Sequence, residues 1–82
     1  MEELDRITQI VSQIGGMPPL GPDDNIYRAG FASMKALELL VELEAQYDVV
    51  IQDDHFMKAQ SPRDLAAMIA VLRTGEGAQA AA

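Results

Sequence analysis

The sequence predicts an all-α fold: a small four-helix bundle with a long loop between the first and second helices and a short third helix. Apolar residues recur at steps of three and four in three separate segments, the signature of amphipathic helices. The available interior is aliphatic, because 49% of the chain is hydrophobic while only Tyr27, Phe31, Tyr47 and Phe56 are aromatic. Leu, Ile, Val, Met and Ala in that proportion favour packed helices over a sandwich. A chain of 82 residues makes one domain, being too short for two hydrophobic cores.

From Leu4 the residues Ile7, Ile10, Val11 and Ile14 form one stripe, and Gly15-Gly16 ends the first helix. Residues 16–32 hold Pro18, Pro19, Gly21 and Pro22, so they form a loop of about 17 residues. Met17, Leu20, Ile26, Tyr27 and Phe31 are spaced along it and are expected to pin it to the core. The second helix is predicted from Met34 to Tyr47, with Ala36, Leu37, Leu39, Leu40, Leu43 and Tyr47 on one broad face. Lys35, Glu38, Glu42 and Gln46 fall on the other face. Glu44 interrupts the apolar arc and is expected to cap loop backbone groups.

After a short connection, Asp53 or Asp54 is expected to cap one or two turns through His55, Phe56, Met57 and Lys58. Ser61-Pro62-Arg63-Asp64 supplies an N-cap, a proline at the first helical position and an acid at the third. Leu65, Met68, Ile69 and Leu72 then form the buried stripe of the last helix. Residues 1–74 are the expected domain and residues 75–82, which have no large apolar side chain, a disordered tail.

Thirteen acids against six bases give a net charge of −7, which argues against nucleic acid and anionic lipid as partners. No apolar run approaches the roughly 18 residues of a membrane span, and the acidic N-terminus does not read as a signal peptide, so a cytoplasmic location is expected. There is no cysteine, so any thioester chemistry would need a borrowed thiol. With one histidine, no glycine-rich phosphate loop and no metal-ligand spacing, the sequence offers neither catalytic nor metal-binding residues. His55 beside Asp54 reads as a surface histidine, and Asp23-Asp24 lacks the alternating acids of a calcium loop.

The most informative stretch runs from Tyr27 to Leu40, where Gly30-Phe31-Ala32-Ser33 leads into the amphipathic second helix. Ser33 at a helix start has two readings. It is an N-cap contributing about 1 kcal/mol, or an exposed attachment point at which a phosphodiester would meet the positive end of the helix dipole. Spacing alone leaves both open.

The order of helix, long loop, Gly-Phe-Ala-Ser, acidic helix, short helix and capped last helix resembles the acyl carrier protein family, including its peptidyl and aminoacyl members, over residues 4 to 73. Met34 after the serine and the Leu43-Glu44 pair are similar too. The resemblance implies a stand-alone, monomeric, non-enzymatic carrier whose Ser33 receives 4′-phosphopantetheine from coenzyme A. The arm would hold an acyl or aminoacyl group as a thioester. The implied partners are a phosphopantetheinyl transferase, a loading ligase or adenylation enzyme, and a downstream acyltransferase or synthase. They would be met by Met34, Glu38, Val41, Glu42 and Ala45 on the second helix, or by the third helix near Phe56 and Met57.

Two residues depart from the family pattern: Ala32 stands where an aspartate is usual, and Lys35 where many fatty-acid carriers have an acid. The second departure points to polyketide, nonribosomal peptide or aminoacyl-transfer systems rather than primary fatty acid synthesis. The alternative from another class is a non-catalytic helical interaction module without a prosthetic group, in which Ser33 is only a cap.

Overall fold

A computed structural model describes residues 2–73, which form four α-helices: α1 (Glu2–Gly15), α2 (Ala36–Tyr47), α3 (Asp53–Lys58) and α4 (Pro62–Arg73). There is no strand among the described residues. A single 3-10 turn, Ser33–Lys35, runs directly into α2, so the helix predicted from Met34 begins in a tighter winding than expected. The expected tail, residues 75–82, lies outside the described residues. No helix among the described residues is long and apolar enough to cross a membrane.

Helix α1 packs against both α4 and α2, and α3 packs against α4. The shared interior is the aliphatic one expected: Ile7, Leu39, Leu43, Leu65 and Ile69 are wholly buried, with Val11 beside them. Each such side chain contributes about 1.5–3 kcal/mol by leaving water. Met68 and Leu72 of the predicted α4 stripe are only partly buried at its margin.

The long loop is held down by its pins. Ile26 and Phe31 are buried, while Met17, Leu20 and Tyr27 pack partly buried against the core. Its backbone is also tied to the α3–α4 connection: Ile26 N–H donates to the Gln60 carbonyl at 2.9 Å, and Arg63 N–H to the Pro22 carbonyl at 2.9 Å. Asn25 Nδ2 donates to Gln60 Oε1, and the Arg63 guanidinium pairs with Asp23 at 2.7 Å.

Helix α4 starts as predicted, with Ser61 Oγ accepting the Asp64 N–H at 3.1 Å. Helix α3 does not. Its N-cap is Gln52, without a side-chain hydrogen bond, and Asp53 and Asp54 lie inside the first turn, where carboxylates favour the helix dipole without capping it. Glu44 does what its place in the apolar arc implied, accepting the Ile51 N–H on Oε2 at 2.9 Å and so fixing the α2–α3 connection.

Leu37 corrects the predicted inward face of α2, being 68% exposed. At about 100° per residue it stands about 60° beyond Leu40 and about 120° from Leu43, on the same side as Glu44, seven residues on. The polar residue that breaks the arc marks the arc's true edge.

Candidate functional site

The approach to Ser33 is set residue by residue. Asn25 Oδ1 accepts the N–H groups of Tyr27 and Arg28, winding the chain into a turn. Gly30 then takes φ = +118°, a backbone conformation that side-chain-bearing residues rarely adopt. That reversal lets Phe31 drop into the core, its N–H bonded to the Ile26 carbonyl and its ring edge-on to Tyr27 with centroids 6.0 Å apart. Ala32 is extended, and the chain emerges at the surface with Ser33 as the first residue of the 3-10 turn. The Lys35 N–H to the Ala32 carbonyl and the Ala36 N–H to the Ser33 carbonyl close it.

Of the two readings of Ser33, the capping one does not hold. The cap position belongs to Ala32, which has no side-chain oxygen, and the Ser33 hydroxyl is exposed with no hydrogen-bond partner among the described residues. The other two serines are occupied: Ser12 Oγ donates to the Met17 carbonyl, and Ser61 is buried and caps α4. An open cleft of about 470 Å³ lies between α2 and α3, with Ser33, Leu37, Asp53, Phe56 and Met57 among its lining residues. Tyr27 also lines it, and burial pushes its phenol above the ordinary value, so it is a neutral hydroxyl at pH 7.

The chain matches the family model for the phosphopantetheine attachment site over residues 5–69. The chain belongs to that family. No curated protein is significantly similar to it in sequence. Phosphopantetheine attachment domains hold 4′-phosphopantetheine covalently on a serine and work with phosphopantetheinyl transferases and other enzymes. The residues present fit that group, since one serine hydroxyl is exposed and unengaged at the start of a helical segment.

Around that serine, the carrier presents most of the strip expected on α2. Met34 is 85% exposed, and Glu38, Val41 and Ala45 follow it on the same side. Glu42 is displaced from the strip. It is half-buried, binds Gln46 Nε2 at 2.8 Å and lines a polar groove shared with Arg6, Gln9 and Gln13 of α1. Sequence reasoning missed Leu37 and left Met57 to a secondary surface, yet both are largely exposed and line the cleft with Ser33. On α3, Phe56 is buried and His55 is exposed.

Proposed function

We propose that the protein is a carrier in which Ser33 bears the 4′-phosphopantetheine arm and presents an acyl or aminoacyl thioester to separate enzymes. The observation supporting it is that, of three serines, all within the family match, only Ser33 offers a free and exposed hydroxyl. In attachment, Ser33 Oγ forms the new P–O bond to the phosphopantetheine phosphorus of coenzyme A. Adenosine 3′,5′-bisphosphate leaves and the hydroxyl proton is lost. The resulting phosphodiester sits at a helix start, where unpaired N–H groups and the dipole favour an anion. The arm supplies the thiol that this cysteine-free chain lacks.

The chain's own part is to hold and orient the arm and to offer an address, and its partners perform the chemistry. Lys35 and the Gly30-Phe31-Ala32-Ser33 approach favour a polyketide, nonribosomal peptide or aminoacyl-transfer system. Intact mass after incubation with coenzyme A and a broad-specificity transferase tests the reading. A single adduct mapped to Ser33 supports a carrier; no adduct under any transferase leaves a helical interaction module.

Glu38 and Glu42 reversed to Lys are expected to weaken binding to the loading enzyme and to flatten its salt dependence, because exposed acids steer and orient a basic docking patch. Glu38 alone should account for most of the effect, since Glu42 is engaged by Gln46. Titration of the single and double variants at two ionic strengths checks this, and binding indifferent to both charge and salt would move the docking face elsewhere.

Ala32→Asp is expected to act twice. A carboxylate there adds a hard oxygen beside Ser33 for a transferase's magnesium, speeding modification by transferases that rely on such an acid. It also places a good capping residue at a position that now has no side-chain cap, stabilising the fold by about 0.5–1 kcal/mol. Timed mass shifts with two transferases of different selectivity, and the two melting temperatures, separate the effects. Equal rates throughout would make Ala32 a neutral substitution.

A further inference from the structure

The turn that presents Ser33 has no side-chain cap, so something else must hold it. Two contacts from its flanks converge on one place, the last turn of α1. On one side, Lys35 is half-buried, and its ammonium donates to the Ile14 carbonyl at 3.1 Å. Ile14 is in the final turn of its helix, where carbonyls lack intrahelical donors and a cation is favoured by the dipole. On the other side, the Phe31 ring lies against Gly15. A Cβ added at Gly15 would come within 2.7 Å of Phe31 Cδ1, nearer than carbon atoms can approach.

Resting on the Ser33 reading, we infer that Ile14–Gly15 is the seat that fixes the Ser33 turn, and that Lys35 is a positioning residue for phosphopantetheine transfer. Phe31 and Lys35 bracket Ser33 at two residues on either side, and both are anchored to the same turn of α1. Without the Lys35 anchor, the exposed residues Ala32, Ser33 and Met34 are held by the turn's two backbone hydrogen bonds and by the buried Phe31 and partly buried Ala36 on either side. Lys35 is thereby assigned to orientation of the nucleophile, while the exposed strip of Met34, Glu38 and Val41 is left to docking. Losing the anchor should therefore slow the transfer step and leave recognition unchanged, because small misplacements of a reacting atom are costly in rate.

The test compares wild type, Lys35→Met, Lys35→Arg and Gly15→Ala as substrates for a broad-specificity phosphopantetheinyl transferase with coenzyme A, with kcat and KM measured separately. Hydrogen exchange of the Lys35 and Ala36 amides, which close the turn, is measured on the unmodified proteins. Lys35→Met keeps the apolar stem and is expected to lower kcat about ten-fold at unchanged KM, with faster exchange of both amides. Lys35→Arg restores both, because a guanidinium can donate to the same carbonyl. Gly15→Ala lowers kcat with Lys35 intact, by displacing Phe31. Wild-type kcat in Lys35→Met overturns the inference, and so does a loss that Arg does not rescue or that merely follows the melting temperature. A wild-type chain that accepts no arm overturns the attachment reading itself. The exchange comparison then decides separately whether Lys35 holds the turn.

Discussion

Ser33→Ala is expected to fold with wild-type stability and to accept no phosphopantetheine. The stability half follows from the geometry, because the hydroxyl caps nothing and bonds to nothing among the described residues. Its removal should stay within about 0.5 kcal/mol, as for other surface changes that break no interaction. The loading half follows from chemistry, since alanine has no oxygen with which to form the phosphodiester. Ser61→Ala is the informative contrast. It loses the bond to Asp64 N–H and about 1 kcal/mol with it, yet should load fully. Intact mass and thermal melts of the two variants decide the matter, and an adduct that persists on Ser33→Ala would sink the assignment.

Phe31→Ala is expected to cost about 3–5 kcal/mol, the range for deleting a buried aromatic ring. The ring is 3% exposed, meets Tyr27 edge-on and covers Gly15, so little can collapse into the space it leaves. A domain of this size has a stability of only about 4–12 kcal/mol, so the loss removes a large part of it. Phe31→Leu should cost far less by keeping the site filled. Urea unfolding of both variants measures the difference. A loss below about 1 kcal/mol for alanine would mean that the ring does not anchor the loop.

Much of this was legible because local pattern and tertiary packing agree. The α1 stripe, the Ser61-Pro62 start of α4 and the pinned loop need only periodicity and capping chemistry, and Glu44 announced its role by interrupting an apolar arc. The misreadings have a common cause. Leu37 reads as inward when residues are grouped by polarity, although its angle puts it at the edge of the apolar arc, which no neighbouring helix covers. Asp53 or Asp54 is the expected cap because acids cap well, but α3 starts at Asp53 and leaves the cap position to Gln52. The family resemblance singled out Ser33, yet whether its hydroxyl was free depended on where the tight turn began. The Lys35–Ile14 contact joins residues 21 positions apart with no motif at either end, so nothing local could signal it.

The ties between the long loop and the α3–α4 connection bear on when the site comes into being during synthesis. Asn25 meets Gln60 across 35 positions, and Asp23 meets Arg63 across 40. Ser33 lies inside that closed span, so the nascent chain can have its attachment residue clear of the ribosome while the segments that lash its loop are still unmade. Non-local closures of this kind come late in folding, because the entropy of closing the loop is lost before the contacts reward it. The loop leading to Ser33 is therefore fastened along residues 22–26 only once residues 60–63 have been added and folded back. A transferase that reads the shape of that loop rather than its sequence meets its substrate only as a finished domain.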